Sequence, residues 1–183
     1  DHGFRSPFEG SRNVFTATVP EEGDLLYAAT IVLRPRRDAD GKMKHVLMTG
    51  KYSSELIESV ELRINNQCIQ HINRDALEAP FSHTNFPGSH NQNSVFDSIR
   101  MKKGSFHIPL NFFFSKAGNA YPLVNSQYPV QVRVHFVKDN KEIVGTPDGN
   151  GGEKELDKHA SWEEIFDMYL ETSQIYLEDS ARE

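Results

Sequence analysis

Histidine is the residue type here best suited to chemistry, because imidazole binds metals and moves protons near neutral pH. Eight histidines stand among 183 residues, and His71, His83 and His90 fall close together in the chain. A metal-dependent enzyme on a β-sandwich would need two of them at H-x-H or H-x-x-x-H spacing, with a further Glu and His downstream. No two histidines have either spacing, so surface or loop positions are expected and no metal ligands are assigned. "DGNGGE", from Asp148 to Glu153, has the composition of a calcium loop. It lacks the regular run of oxygen ligands and the closing Glu, and reads as a Gly-rich connection. Cys68 is the single cysteine. It lies in an apolar alternation and is expected to be a packed thiol rather than a nucleophile. Neither G-x-S-x-G nor a phosphate-cradling G-x-x-x-x-G-K occurs, and no two carboxylates are spaced as a catalytic pair. The expectation is a chain without catalytic, cofactor-binding or metal-binding residues.

The totals narrow the class further. Acidic residues outnumber basic ones, 26 to 20, for a net charge of −6. A nucleic-acid binder would carry a basic patch. The one Arg cluster, "LRPRR" from Leu33 to Arg37, reads as a solvated loop, so no direct nucleic-acid contact is expected. A lone cysteine permits neither an internal disulfide nor a cysteine-based zinc site, and suits a reducing compartment. No stretch reaches the ~18 apolar residues that would span a bilayer as a helix. The chain begins with Asp1 rather than Met, which reads as a fragment, a processed form or part of a longer protein.

The periodicities indicate strands. Residues 1–11 read as an irregular, extended arm rich in Gly, Ser and Pro. Asn13 to Pro20 alternates, and Leu25 to Pro35 is apolar enough for a strand buried on both faces. His45 to Gly50 reads as a short strand. "SVELRI" puts Val60, Leu62 and Ile64 on one face and Glu61 and Arg63 on the other. Asn65 and Asn66 then suit a tight turn, because Asn tolerates the left-handed conformation. Asn73 caps a short helix that Pro80 stops. Further strands are expected near 106–114, 120–127 and 129–138, separated by long loops at 82–105 and 139–159. Pro109 and Pro122 belong at strand starts or bulges, since proline cannot donate to a ladder. From Ala160 onward a helical first half and a closing "SQIYLE" strand are expected. Short strands without helical crossovers predict an all-β, antiparallel jelly-roll sandwich of about eight strands, with long loops and short helical insertions.

The segment from Ile108 to Phe136 resembles a stretch of the major capsid proteins of nucleocytoplasmic large DNA viruses. The residues that carry the likeness are Ile108, Pro109, Leu110, Phe112, Phe114, Gly118, Ala120, Pro122, Leu123, Gln127 and Tyr128. Three other segments resemble the same family in the same order. They are "GDLLYAATIVLRP" from Gly23, "LIESVELRINNQCIQHINRDAL" from Leu56, and "QIYLEDSARE" from Gln174. Departures occur where Asn65-Asn66 replace a paired Gly, Asn111 replaces a Pro, Tyr121 replaces a Leu and Ala76 replaces a Trp. "VNSQY", from Val124 to Tyr128, is also less apolar than the family's segment.

The resemblance implies a structural capsid protein that assembles into an icosahedral shell, and no enzyme. It implies the first jelly roll of a double jelly-roll fold, so 12–183 would form one jelly roll preceded by an arm at 1–11. The departures leave a divergent capsid protein, a minor capsid paralogue and a fragment of a longer capsid chain all open. Implied partners are other capsid subunits in a homotrimeric capsomer, with minor capsid proteins as neighbours. The implied location is the virion, after assembly in the host cytoplasm. The alternative from another class is a ligand-binding jelly-roll module of the carbohydrate type. Such sites stack sugars on exposed aromatics. Trp162 sits in an amphipathic, helix-like context, and Phe112, Phe113, Phe114 and Tyr121 fall in expected strands, where a core claims most of them.

Overall fold

A computed structural model describes residues 2–42, 44–47, 56–77, 105–115, 118–124, 126–138, 144–147, 153–155 and 160–178. Among these the strands are β1 (His2–Pro7), β2 (Glu9–Ser11), β3 (Val14–Thr18), β4 (Leu25–Pro35), β5 (Val46–Leu47), β6 (Ile57–Ile64) and β7 (Gln67–Asn73). They continue with β8 (Phe106–Leu110), β9 (Tyr121–Pro122), β10 (Val130–Phe136), β11 (Val144–Pro147), β12 (Glu153–Glu155) and β13 (Phe166–Ile175). One short helix, α1 (Trp162–Ile165), leads into β13.

A first sheet runs β1-β13-β4-β8, with β9 also beside β4, and a second runs β2-β3-β10-β6-β7. Every pairing within them is antiparallel. Their inner faces share one core. With β1 and β2 set aside as edge additions, eight strands build this sandwich, as a jelly roll requires. A third, small sheet, β12-β11-β5, joins two loops.

The strands form where the pleat can sort side chains by face. β10 alternates without a break, burying Val130, Val132, Val134 and Phe136. β8 does the same with Phe106, Ile108 and Leu110. β6 and β7 join through Asn65 (φ 52°) and Asn66 (φ 60°). Both central residues are left-handed, which matches the strand twist of a type I′ hairpin. Asn73 Oδ1 accepts the Ala76 N–H at 2.8 Å and caps a helical turn over 74–77.

Several sequence expectations change. Residues 1–11 are not irregular: β1 pairs with β13 over its whole length, and β2 pairs with β3. An exposed strand edge accepts any extended segment, so this pairing needs no apolar alternation. β4 is fully buried on both faces only over Ile31, Val32 and Leu33. A bulge at Tyr27 on β4, opposite Ser173 and Gln174 of β13, shifts the register and turns both Leu26 and Ala29 inward. The strand expected at 106–114 stops at Leu110, and Phe113–Ser115 form a 3-10 turn. The strand expected at 120–127 shrinks to Tyr121–Pro122. The loop expected at 139–159 contains β11 and β12. Pro109 lies inside β8, which is tolerated because β8 is an edge strand. β13 begins at Phe166, well before the expected "SQIYLE", and helix is confined to Trp162–Ile165. Its inward positions include Thr172 and Gln174, and these polar residues disguised the period-two pattern. The loop at 82–105 falls outside the described residues except for Ser105.

A file of aromatic rings crosses the core. Phe15 on β3 meets Phe136 on β10 edge-on at 5.6 Å. Phe136 lies 4.9 Å from the Trp162 ring, and Trp162 stacks on Phe166 at 6.3 Å. Phe166 meets Phe106 edge-on at 6.1 Å. The file begins in the second sheet and ends in the first, so α1 supplies the ring that joins them. The Trp162 indole N–H donates to the Val137 carbonyl at 3.1 Å. Trp162→Ala is expected to cost about 3–5 kcal/mol, as truncation of a buried aromatic does. Urea unfolding followed by circular dichroism checks this, and a loss below about 1 kcal/mol would mean the rings do not tie the sheets.

Candidate functional site

The residues with chemical potential do not converge. His71 is exposed on β7, while His83, His90 and residues 148–152 lie outside the described residues. Among the described residues, no three His, Cys, Asp or Glu stand together as a metal site. Cys68 is exposed rather than packed. The bulge opposite Leu62 and Arg63 places Cys68 across from Arg63 on the outer face and leaves Ile69 projecting. In the Arg cluster, Arg36 pairs with Asp167 at 2.9 Å, and Arg37 donates to the Gly41 carbonyl at 2.9 Å. Among the aromatics, Phe112, Phe114 and Trp162 are core residues, whereas Phe113 is exposed.

Three features do stand out. The first is a buried amide. Gln174 is fully enclosed between the β3–β4 turn and β13. Its Oε1 accepts the Gly23 N–H at 2.6 Å, and its Nε2 donates to the Pro20 carbonyl at 2.7 Å and to Thr172 Oγ1 at 3.2 Å. A side chain on Gly23 would reach 2.6 Å from Gln174 Cβ, so only glycine fits. Asp24, next along, is almost buried, and its Oδ2 accepts the Leu177 N–H at 2.7 Å. Its carbonyl accepts the Leu123 N–H at 2.7 Å. Three chain segments far apart in sequence are thus clamped at one end of the sandwich. Every polar group of the Gln174 amide is used, so the cluster holds structure and has no group left to react. Gln174→Leu leaves the Gly23 N–H and the Pro20 carbonyl buried without partners. It is expected to cost about 2–4 kcal/mol, measured by chemical denaturation. A neutral result would show that water replaces the amide.

The second feature is the outer face of the second sheet. The alternation in β6 sets Glu61 and Arg63 there side by side, joined at 2.6 Å. Glu61 also lies 3.3 Å from His135 Nε2, and Arg133 stands directly across from it on β10. Arg63 in addition donates to the Asn66 carbonyl, tying the hairpin turn to this pair. Burial alone would raise the Glu61 carboxyl. The Arg63 hydrogen bond and the coulombic pull of His135, Arg63 and Arg133 outweigh it and hold the carboxyl below the ordinary glutamate value. The folded state therefore keeps Glu61 ionised to lower pH than the unfolded chain does. Its contribution is complete above the ordinary glutamate range and is lost as pH falls through the lowered folded-state pKa. Glu61→Gln should remove that acid-side slope and cost about 1 kcal/mol at neutral pH. Thermal melts as a function of pH check both effects, and an unchanged slope would rule Glu61 out as its source.

The third feature is apolar. Among the described residues the exposed large hydrophobics are Ile69, Phe113, Val124, Tyr128 and Tyr176, each 37–57% accessible. A chain of contacts places them along one rim. Tyr176 precedes Leu177, which is held by Asp24, and the Asp24 carbonyl also accepts from Val124 at 3.4 Å. Ser126 Oγ donates to the Tyr128 carbonyl at 2.6 Å and lies 3.4 Å from the Tyr121 hydroxyl. Tyr121 meets the Phe113 ring at 6.1 Å. The Phe113 N–H donates to Gln70 Oε1 at 2.9 Å, next to Ile69. Beside Val124 and Ser126, Glu21, Glu22 and Asp24 line an acidic cleft. A grouped apolar rim of this kind marks an interaction surface more often than chance exposure does. Sequence reading missed Phe113 and Val124 because strand assignments for 112–114 and 120–127 sent their side chains to the core.

Comparison with known proteins agrees with this picture. Residues 8–178 match the family model described as the major capsid protein N-terminus. No curated protein sequence matches the chain. Among solved structures, it is similar to VP54 of the virus PBCV-1 as fitted into a reconstruction of the virophage Sputnik, with a TM-score of 0.68 and 18% identity. It is equally similar to the quasi-atomic capsid of PBCV-1, with a TM-score of 0.69 and 19% identity. In both cases 99% of this chain aligns with 43% of the other. The Faustovirus major capsid protein aligns over 98% of this chain and 55% of its own, with a TM-score of 0.62 and 9% identity. The chain thus spans less than half the length of the PBCV-1 chains it matches.

Proposed function

Because this chain belongs to the major capsid protein N-terminus family, we propose that it is a structural subunit of an icosahedral viral shell, assembling with other capsid subunits. The observation that carries the reading is the family match across residues 8–178. The geometry is in keeping with it. The buried polar groups clamp loops and strands, and the exposed apolar groups gather on one rim. This reading involves no catalytic step. The family assignment favours it over a carbohydrate-binding module, and Trp162, the one tryptophan, is enclosed in the core.

In finer detail, residues 12–183 act as one jelly roll, the N-terminal half of a longer double jelly-roll chain, with 1–11 as its arm. Three copies form a capsomer, flanked by minor capsid proteins. Assembly takes place in the host cytoplasm and the product resides in the virion. The sheet-to-sheet core suits such a role, because a shell subunit must keep its shape while its loops and rims make contacts.

Light scattering and electron microscopy of the purified full-length chain test the proposal. Discrete oligomers or particles are expected, and a strictly monomeric product never found in virions would overturn it. Val124→Asp with Tyr128→Asp should reduce assembly at least tenfold. Both sites are exposed, so stability should shift by no more than about 0.5 kcal/mol per site. Undiminished assembly would remove the rim from the contact surface.

A further inference from the structure

The strap formed by β1 and β2 closes the open side of the sandwich. β1 caps the β13 edge of the first sheet, and β2 caps the β3 edge of the second. Only Phe8 lies between them. No residue from Gly3 to Ser11 is fully buried, and Phe8 is the strap residue that packs, in part, against the core. β1 is held chiefly by a full antiparallel ladder to β13 and by contacts at the surface, and it also lies against β3. Arg5 pairs with Glu171 at 3.0 Å and lies 4.9 Å over the Tyr169 ring, and the Phe8 N–H donates to the Met168 carbonyl at 3.1 Å.

We infer that β1 is an exchangeable strand, which leaves its own β13 edge and pairs with the β13 edge of a neighbouring copy of the same chain. The first reason is energetic. The ladder, the Arg5 contacts and the Phe8 hydrogen bond are all made to β13 and re-form unchanged on another copy, so only the approach of β1 to β3 is given up. The exchange therefore costs little beyond association, and high local concentration offsets that cost. The second reason is selectivity. A vacated β13 edge must be refilled by an extended strand, because unpaired ladder groups are costly to leave. Arg5 opposite Glu171 and Tyr169 favours this same sequence as the occupant. The third is reach. Six residues of strand span about 20 Å from the pivot at Phe8. The recipient must therefore lie close against the β1–β13 side, which identifies that side as one facing a neighbour. Exchange itself needs only a second copy, and the shell reading supplies the setting in which copies are packed closely enough.

Thiol pairing tests this directly. Gly3 stands opposite Ser173 in the ladder, and a Cβ at Gly3 meets nothing within 4 Å. Opposed residues on antiparallel strands lie about 4.5–5.5 Å apart, within disulfide range. In a Cys68→Ser background, one full-length preparation carries Gly3→Cys and another Ser173→Cys. The two are mixed, concentrated and oxidised, both free and under assembly conditions. A Gly3→Cys/Ser173→Cys heterodimer on non-reducing gels, at least tenfold above a Gly3→Cys/Gly41→Cys control mixture, is the expected result. If the heterodimer stays at control level in both conditions, exchange is refuted. Circular dichroism and thermal melts of each single variant, matching the Cys68→Ser parent, guard against one variant misfolding. Particle formation is read separately by sedimentation. Crosslinking without particles would support exchange while counting against the shell reading, and particles without crosslinking would do the reverse.

Discussion

The file of rings from Phe15 through Phe136, Trp162 and Phe166 to Phe106 is the interaction on which the rest of the molecule depends. Two twisted sheets bury their inner faces well only if large side chains interdigitate across the gap. Here the aromatic residues of four strands and one short helix do so in sequence. Because Trp162 sits on α1, immediately before β13, the last strand enters the first sheet with its inner face already in contact with the second. β13 then pairs with β4 along one edge and with β1 along the other.

The buried Gln174 amide has a different role. Apolar packing sets the distance between the sheets but says little about where loops sit. Gln174 and Asp24 use directional hydrogen bonds to bring the β3–β4 turn, the segment after β9 and the exit of β13 to one place. This gives a physical reason for a glycine at 23, an aspartate at 24 and a glutamine at 174, in two segments distant in sequence. Gly23 is required because the amide approaches its backbone too closely for a side chain, and Asp24 because a backbone N–H must be satisfied near the rim. The apolar rim runs past this clamp, so its shape follows from the same bonds.

This division of labour is in keeping with the proposed role in a shell. The core fixes the shape of the sandwich, the polar outer face of the second sheet is balanced within itself around Glu61, and among the described residues the exposed large apolar groups lie along the rim. The β1–β2 strap adds an edge cap held by backbone pairing and surface contacts rather than by core packing. Such a cap can be present in a free subunit and shared in an assembly.

Much of this was legible in the chain. Strict alternation in β6, β8 and β10 identified strands and their faces, including Glu61 and Arg63 on one side, because a pleat sorts residues by parity. Asn65-Asn66 and Asn73 declared a turn and a helix cap through local chemistry, and the family likeness was carried by short ordered motifs. What could not be read was set by contacts between distant segments. Thr172 and Gln174 hid most of β13, because polar residues face inward when partners from another loop await them. Cys68 changed sides through a single bulge at Ile69. Phe113 left the core because the chain turned at Asn111 instead of extending. Residues 2–7 became a strand only because β13 offered an edge. Local patterning determined which segments could be strands, and tertiary pairing decided their register, their ends and which side chains remained outside. The reason is that hydrogen-bond partners and bulges belong to two segments at once, whereas a sequence window holds only one.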